Sequence, residues 1–440
     1  MIKFILFFLM ATYIFPDYGS HIKYIPFPPT DIHTPALISP RTQFTTHQEM
    51  INFLESFSAP NFQVEIIGYS QGGLSIPLVK FLNGGKGALT LLFQAQMHGS
   101  EPGAGESMLA LISKIANGQI DIGNINLLIV PRANPDGSKA FEKSTKNGKD
   151  MNSDFAHAFL PETAALLKVF NTYSPHIVVD FHEYTATVIE HPDDPRKNLL
   201  PYYDILLLPP TNPNVDLTIK DLSKKLFIEN IEKDLDRKGF TSSFYYNSIY
   251  YPTARTSLAL IMGSDSPQVA RNSYALQSSI SLLVEGRGGG IGWTNFPKRV
   301  KGLLESAISI LSTANKNREL ILNELSTVKN RSNSEKGTLI LKSEATIEKI
   351  NYKFISVETG KVLDVPVFLK NTELQMVKNT LPIPDAYLVK HMDSDFYLQI
   401  TRFQFPYEKT SEGYIFPTEG SKRYFIPLIF EERKSQRVYR

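Results

Sequence analysis

The chain has 440 residues, of which 42% are hydrophobic and 20% are charged, and its formal net charge is +2. This composition excludes disordered, collagen-like and coiled-coil proteins, and the length favours one large domain with a smaller one. The near balance of charge, without a basic tract interleaved with aromatic residues, argues against a nucleic-acid partner. The absence of cysteine excludes disulfides, zinc–thiolate sites and a cysteine nucleophile. Any metal ion must therefore be held by His, Asp or Glu.

The N-terminus has the pattern of a secretory signal peptide. Lys3 is followed by an apolar run over residues 4–15 and then by small residues near a turn. The run is too short to span a bilayer, which needs about 20 residues. We therefore expect residues 1–20 to be a signal peptide, the mature protein to be periplasmic or secreted, and no stable membrane insertion after signal removal. The alternative is a buried N-terminal strand or helix, because no A-x-A cleavage site is visible.

Strand and helix patterns alternate over residues 61–314. Buried strands are predicted at residues 89–95, 125–130, 177–181 and 279–285, and helices at 101–117, 161–173, 222–238, 267–277 and 297–314. This alternation indicates an α/β fold with a mixed, largely parallel sheet flanked by helices. We expect the main domain to cover residues 21–320, a polar linker to cover 321–336, and a small β-rich domain to cover 337–440.

Residues 68–72 have the sequence G-Y-S-Q-G, which matches the G-x-S-x-G nucleophile elbow of serine hydrolases. The elbow requires a strand before the serine and a helix directly after it. Residues 63–67 do predict a strand, but residues 72–79 alternate in apolar character and contain a proline, which indicates a second strand. We therefore predict a β-hairpin whose glycines serve the turn, and not a nucleophilic Ser70.

Two potential metal ligands stand at a predicted junction between a strand and a helix. His98 and Glu101 follow the strand at 89–95, and their spacing lets both side chains point at one ion. Imidazole nitrogen and carboxylate oxygen suit Zn²⁺ without any thiolate. Taken alone the pair is a weak signal, because Glu101 could instead cap the helix beside an unrelated histidine.

Two further residues end predicted buried strands. His182 follows the strand at 177–181, at the rim where α/β sheets place their ligands. A hydrogen-bonded structural histidine is the alternative. Glu285 ends the strand at 279–285, where a carboxylate is costly to bury unless it is paired or used. Its alternative is an ion pair with Arg287.

Together and in chain order, these features resemble the zinc carboxypeptidase family, the carboxypeptidase A-like metallopeptidases. The resemblance extends over residues 62–292. The segment from His98 to Glu101 resembles the H-x-x-E motif, and His182 takes the place of the third ligand. Residues 134–137 resemble the N-P-D-G turn of the family, and residues 147–153 resemble its N-G-x-D-x-N-R stretch. Residues 284–287 resemble the strand that ends in the catalytic glutamate, and the hairpin at 68–80 resembles the opening strands.

The resemblance implies hydrolysis of a peptide or another amide at a single Zn²⁺ ion held by His98, Glu101 and His182. It implies Glu285 as the general base that takes a proton from water and later delivers it to the leaving nitrogen. It also implies Asp150 as the acceptor that fixes the imidazole of His98. An ordinary turn aspartate is the alternative role for Asp150.

The sequence departs from the family in the residues expected to bind the substrate. Family members that remove C-terminal residues have an arginine after the asparagine, but here Asn152 is followed by Ser153. The bidentate guanidinium is therefore missing. The oxyanion-stabilising arginine of the family is expected to be replaced by Lys146 or Lys143, which supply a point charge without the same fork.

Two residues on the predicted helix before Glu285 are further substrate-binding candidates. Arg271 could anchor a carboxylate, and a solvated helix arginine is its alternative. Tyr274 could face the same pocket, but a core aromatic residue is the favoured interpretation. These changes leave hydrolysis intact as a hypothesis but leave open whether the enzyme acts on free C-termini.

The leading prediction is an exported zinc metallocarboxypeptidase. A zinc amidohydrolase that acts on cell-wall peptides or N-acyl amino acids is a second interpretation, suggested by Ser153. A third is a non-catalytic protein that binds zinc and recognises peptide or glycan through its C-terminal part. Glu285 argues against it, because a protein that only binds needs no general base. A serine esterase built on Ser70 is disfavoured by the hairpin.

Overall fold

The computed structural model describes residues 32–38, 43–252, 257–334, 337–433 and 435–438. The predicted signal peptide lies outside the described residues. Within these described ranges, no helix combines the length and the apolar character that crossing a membrane requires.

Helices and strands alternate along the first three quarters of the chain. The described helices are α1 (His47–Glu55), α2 (Pro102–Ala116), α3 (Pro135–Ala140), α4 (Pro161–Tyr173), α5 (Leu217–Asp221), α6 (Glu229–Arg237), α7 (Ala270–Leu276), α8 (Phe296–Lys316), α9 (Arg318–Ser334), α10 (Ser394–Phe403) and α11 (Phe425–Glu432). A π-helical segment, Leu222–Ile228, joins α5 to α6.

The described strands form three sheets. They are β1 (Phe62–Tyr69), β2 (Ser75–Leu82), β3 (Thr90–Ala95), β4 (Asn126–Val130), β5 (Ile177–Thr185), β6 (Leu199–Pro201), β7 (Ile205–Leu208), β8 (Ser242–Phe244), β9 (Tyr246–Tyr250), β10 (Leu258–Met262), β11 (Ile280–Gly289), β12 (Thr338–Ser356), β13 (Val362–Pro382), β14 (Ala386–Val389), β15 (Glu408–Lys409), β16 (Tyr414–Pro417) and β17 (Gln436–Val438).

The first sheet has eight strands in the order β1-β2-β4-β3-β5-β11-β7-β8. Its centre is parallel, because β4, β3, β5 and β11 run in one direction. The flanking strands β2 and β7 pair antiparallel with β4 and β11. Parallel neighbours need crossover connections, which helices supply here. The predicted α/β fold with a mixed, largely parallel sheet flanked by helices is confirmed.

Helices cover this sheet and enclose its core. α2 packs against α8, α2 also contacts β3 and β5, and α8 contacts β11. α4 packs on β1, and α7 packs on β5 and β11. All residues of β5 except the last are buried, as expected for a central parallel strand. Burial on both faces explains why these strands appear in the sequence as almost continuous apolar runs.

The segment predicted as a linker is instead part of a helix. Residues 321–334 belong to α9, and Ile321, Leu325 and Val328 are buried along one of its faces. Their spacing of four and three residues places them on a single stripe of an α-helix. The linker prediction is therefore wrong. It rested on the mostly polar composition of the segment and did not take into account the helical spacing of these three apolar residues.

A β-rich C-terminal part is present, but its longest strands share a sheet with the earlier part of the chain. β13 pairs in parallel with β10, and β12 pairs antiparallel with β6, in a sheet ordered β6-β12-β13-β10-β9. The third sheet, β15-β16-β14-β17, lies beyond this hairpin. Next to it, α10 contacts α4, and Gln399 and Arg402 donate hydrogen bonds to the carbonyls of Ala156 and Ala158.

The G-Y-S-Q-G segment forms the turn of the β1–β2 hairpin, as predicted. The hydroxyl oxygen of Ser70 accepts a hydrogen bond from the backbone N–H of Leu74 at 3.1 Å. Gly73 has a φ of +79°, a left-handed conformation that glycine adopts without strain. A strand follows the turn where a nucleophile elbow would have a helix.

Candidate metal centre

The centre is built at the carboxyl ends of three adjacent parallel strands. β3 leads into the segment that carries His98, β5 carries His182, and β11 carries Glu285. In an open α/β sheet the carboxyl ends of parallel strands meet at one edge, where ligands bind. His182 and Glu285 are partners in the register of β5 and β11, so their side chains leave the same face of the sheet.

The segment between His98 and Glu101 is held in place by the N-P-D-G turn. Asn134 accepts a hydrogen bond from the N–H of Gly137 at 2.9 Å and donates one to the carbonyl of Met97 at 3.0 Å. A Cβ atom on Gly99 would lie 1.9 Å from the carbonyl carbon of Gly137. Only glycine allows the two backbones to approach this closely, and the approach fixes the position of His98.

Glu101 occupies the N-cap position of α2, but its side chain makes no capping hydrogen bond. Its two carboxylate oxygens face the imidazoles instead. Oε1 lies 2.8 Å from Nδ1 of His98, and Oε2 lies 2.8 Å from Nδ1 of His182. The helix begins at Pro102, so Glu101, and not Ser100, stands at its N-cap position. The helix N-terminus favours the negative charge of Glu101.

The three side chains form a cluster with the dimensions of a metal site. The Nδ1 atoms of His98 and His182 lie 3.2 Å apart, and each faces a different oxygen of Glu101. All three residues are buried. Ligands about 2.0–2.2 Å from a tetrahedral Zn²⁺ ion stand roughly 3.3–3.5 Å from one another. The observed separations of 2.8–3.2 Å are shorter by a few tenths of an ångström, so a small outward shift of these side chains would make room for such an ion.

The far nitrogens of both imidazoles are held by carboxylates. Nε2 of His98 lies 3.1 Å from Oδ1 of Asp150, and Nε2 of His182 lies 2.9 Å from Oδ2 of Asp180. A carboxylate that accepts a hydrogen bond from Nε2, as Asp150 does from His98, assigns the proton to that nitrogen and leaves the lone pair of Nδ1 for a metal. The contact between His182 and Asp180 is an ion-pair contact. Asp180 was missed by the sequence reasoning. Its position in the sequence could have indicated this role, because it is a charged residue in an otherwise apolar strand, two residues before His182 and on the same face.

Charges within the cluster shift the pKa values of all three side chains. Burial opposes protonation of both histidines, but nearby carboxylates outweigh it and raise the pKa of each imidazole. Glu101 and Asp150 act on His98, and Asp180 and Glu101 act on His182. Burial likewise opposes ionisation of Glu101, but the two imidazoles lower its pKa. The electrostatics of the cluster therefore favour an ionised Glu101 that faces protonated imidazoles of His98 and His182.

Glu285 stands beside the cluster as a buried carboxyl group that no described cation pairs with. Burial raises its pKa to about 8, although the imidazole of His182 opposes this shift. The alternative expected from the sequence, an ion pair with Arg287, is not formed between these two described residues. A carboxyl group with a near-neutral pKa can both accept and donate a proton at physiological pH.

A cavity of about 670 Å³ opens over the cluster. His98, Glu101 and Glu285 contribute to its wall. Much of the remaining wall is formed by five tyrosines, which sequence reasoning did not single out: Tyr184, Tyr245, Tyr246, Tyr250 and Tyr251. Four of them lie on β9 or directly next to it, and β9 belongs to the second sheet. The volume is sufficient for a peptide-sized ligand.

The structure distinguishes the two lysines considered for oxyanion stabilisation. Lys143 lines the cavity over the cluster, and its ammonium lies 3.0 Å from Oδ2 of Asp150. Lys146 lines a different cavity, together with Gly72 and Asp136. The loop between α3 and residue 150 turns between the two lysines, which places them on different surfaces.

The other three substrate-binding candidates do not line the cavity over the cluster, as far as the described residues define it. Asn152 accepts a hydrogen bond from the N–H of Ala270 at 3.1 Å and so ties its loop to α7. Arg271 is buried and donates to Thr211 and to the carbonyl of Ser264.

Of the two roles considered for Tyr274, the structure has the core aromatic residue and not the pocket residue. Its side chain is fully buried, and its hydroxyl donates to Oε1 of Gln94 at 3.1 Å. The ring packs against Phe155 and Phe170, with centroid separations of 5.4 and 4.8 Å. Tyr274 is a core residue because α7 turns this position towards the sheet and not towards the cavity.

Two imidazoles and one carboxylate thus converge at the edge of a parallel sheet, and the neighbouring strand adds a second, buried carboxyl group, that of Glu285. This arrangement is typical of hydrolases that depend on one metal ion and hold it with nitrogen and oxygen ligands. The zinc carboxypeptidase family model matches residues 50–319, which is more than half of the chain. The chain belongs to the zinc carboxypeptidase family.

Similar curated proteins are named as carboxypeptidases. The chain is 27% identical over 336 residues to "Probable carboxypeptidase 2" of Arthroderma benhamiae, covering 76% of this chain and 63% of that protein. It is also 27% identical over 336 residues to "Carboxypeptidase 2" of Trichophyton tonsurans, covering 76% of this chain and 62% of that protein. The chain therefore spans less than two thirds of the length of these curated relatives.

Solved structures with a similar fold include a metallo-carboxypeptidase from Burkholderia cenocepacia. That structure aligns with a TM-score of 0.46 and 16% identity, covering 61% of this chain and 68% of the other.

Proposed function

We propose that this protein is an exported zinc metallocarboxypeptidase that hydrolyses a peptide bond next to the C-terminus of its substrate. The observation that carries the proposal is the convergence of His98, Glu101 and His182, with Glu285 on the adjacent strand. The family assignment supports the reaction class, and the donor set supports zinc as the metal.

His98, Glu101 and His182 would hold the ion through Nδ1, the carboxylate and Nδ1. Bound there, Zn²⁺ would lower the pKa of a water molecule towards about 7 and polarise the scissile carbonyl. Asp150 and Asp180 keep the two imidazoles in the tautomer that presents Nδ1 to the metal. The ring orientation is therefore set before any substrate binds.

Glu285 acts as the general base and then as the general acid. Its carboxylate accepts a proton from the attacking water, and the same carboxyl group donates that proton to the leaving nitrogen. Burial supports both roles, because it raises the pKa of this carboxyl group from the acidic value of an ordinary glutamate to near neutral pH.

Lys143 is our candidate for stabilising the negative charge that develops on the carbonyl oxygen. It lines the cavity over the cluster, whereas Lys146 lines another cavity. An ammonium group there supplies a positive charge without the bidentate geometry of an arginine. Asp150 sets the position of Lys143 through their 3.0 Å contact.

Arg271 is our candidate for recognising a carboxylate of the substrate. It is buried behind the cavity wall and does not line it, but it is within electrostatic range of Tyr245, which does, and its Nε has no hydrogen-bond partner among the described residues. Recognition by Arg271 would therefore require the wall at Tyr245 to shift. Asn152 precedes a serine where the family has its carboxylate-binding arginine. A zinc amidohydrolase that acts on blocked or cell-wall amides therefore remains the second candidate function.

Export is the remaining part of the proposal. It is supported by the apolar run at residues 4–15 after Lys3.

Metal analysis and a peptide panel test the proposal together. We expect the purified protein to contain zinc, chelation to abolish hydrolysis, and added zinc to restore it. Peptides with a free C-terminus should be cleaved, and the same peptides with a C-terminal amide should not. Cleavage of the amidated peptides alone would favour the amidohydrolase, and a protein that neither contains zinc nor takes it up would contradict both.

A further inference from the structure

A small, partly open cavity lies near the end of β11, and none of the three candidate metal ligands lines it. Its volume is about 20 Å³, and its wall includes Asp204, Arg287, Lys298 and Arg299. All four of these charged residues are at least nine-tenths buried. Charged side chains are rarely buried without partners, so each charge at this cavity has to be accounted for.

Two of the three cations at the cavity are matched by a carboxylate. Nζ of Lys298 lies 2.5 Å from Oδ1 of Asp204. Nε of Arg299 lies 2.7 Å from Oε1 of Glu183. Asp204 is further saturated, because its Oδ2 accepts hydrogen bonds from the N–H and the hydroxyl of Thr241 at 3.1 and 3.2 Å.

Arg287 is not matched in this way. Its residue is 5% exposed, and its Nε and Nη2 have no hydrogen-bond partner among the described residues. Nη2 of Arg299, which faces the same cavity, also has none within the described part of the chain. The two carboxylates are both engaged, so the residues of the cavity wall carry one excess positive charge together with buried N–H donors that have no partner among the described residues.

The size of the cavity restricts what can neutralise this charge. A space of roughly 10–15 Å³ is needed for one water molecule, so 20 Å³ admits one particle of about that size or slightly larger. Polyatomic anions such as phosphate, sulfate or a carboxylate are too large. A water molecule would fit but would leave the buried charge of Arg287 without a counter-charge.

We propose that this cavity is a binding site for a monoatomic anion, chloride under physiological conditions, held by Arg287 with Arg299 and Lys298 around it. The site is separate from the metal cluster, and the proposal does not depend on peptide hydrolysis. It is close to the substrate cavity, however. Arg287 is the register partner of Tyr184, which lines that cavity.

Halide dependence of stability tests the proposal on the intact protein. Tm is measured while chloride replaces gluconate at constant ionic strength. We expect a saturable rise of about 1–3 °C, and a similar rise with bromide. Crystals soaked in sodium bromide should show an anomalous peak in the cavity, within hydrogen-bond distance of the Arg287 guanidinium.

Substitutions identify the residue responsible. Arg287→Met should remove the halide-dependent rise in Tm, because it removes the unmatched charge. The matched control is Arg196→Met at an exposed arginine that pairs with Asp194, and it should keep the rise. Retention of the rise in Arg287→Met would overturn the proposal. If that variant does not fold, the bromide peak in the unmodified protein decides, and a cavity without such a peak overturns the proposal.

Discussion

Glu285 stands directly opposite His182 across the parallel strands β11 and β5. Neighbouring strands are about 4.8 Å apart, and register partners in a parallel pair point to the same side. The backbone itself, and not a flexible loop, therefore places the carboxyl group of Glu285 next to His182, a candidate metal ligand. A general base on a rigid element keeps its distance from the reacting atoms constant.

Replacing Glu285 by glutamine tests its role as the general base. Glutamine has nearly the same shape but cannot accept a proton, so we expect kcat to fall by about 10²–10⁴. Zinc content should remain that of the unmodified protein, since Glu285 is not among the three clustered ligands. Activity and zinc stoichiometry are measured on the same preparation. Retained activity would remove Glu285 from the mechanism.

Asp180→Asn tests whether the carboxylate behind His182 supports metal binding. The amide cannot hold the imidazole tautomer as strongly, and we expect zinc affinity to fall roughly 10–100-fold. The affinity is measured by competition with a chromophoric chelator. Asp364→Asn is a matched control on the exposed β13 strand, where the aspartate pairs only with Lys353. Equal affinities in the two variants would show that Asp180 is not a supporting residue.

The metal-free protein should lose stability as the pH rises. The pKa of Glu285 is about 8 in the folded protein, against an ordinary value of 4.5. Between these values the folded state binds more protons than the unfolded state, so the free energy of unfolding decreases with increasing pH. The raised pKa values of His98 and His182 act in the same direction above pH 6.5.

Urea unfolding of chelated protein at pH 5 and pH 8 measures this effect. The decrease should be smaller in Glu285→Gln by on the order of 2 kcal/mol, because the variant lacks the titrating group. An identical decrease in the variant and the unmodified protein would show that Glu285 does not titrate in this range.

Lys143→Met and Lys146→Met form a matched pair for the oxyanion role. Lys143 lines the cavity over the cluster, and its removal should lower kcat/KM by about 10²–10³. Lys146 lines another cavity, and its removal should leave kcat/KM within about twofold. Both values come from the same peptide substrate. The reverse ranking would mean that the loop rearranges when substrate binds.

Some features of the site were available in the sequence because they are local. The spacing of His98 and Glu101 and the strand before them indicate a shared ion. The G-Y-S-Q-G segment is followed by an alternating apolar pattern, which predicts a hairpin and not a nucleophile elbow. Such signals depend on neighbours within a few residues, where chain geometry leaves few alternatives.

Other features depend on which distant segments become neighbours. Asp180 has no recognisable role until β5 places it behind His182, and Tyr274 is a pocket candidate until α7 turns it into the core. Lys143 and Lys146 are three residues apart and chemically identical. Only the path of their loop separates them.

The sequence by itself determined the α/β class, the central strands and the candidate ligands, because burial on both faces and metal-binding chemistry restrict which residue types can stand at those positions. The tertiary structure decided which carboxylates hold the imidazoles, which lysine reaches the substrate cavity, and that β13 joins β10 in one sheet. These are contacts between residues far apart in the chain. The free energy of each contact depends on packing and electrostatics that no local sequence pattern encodes.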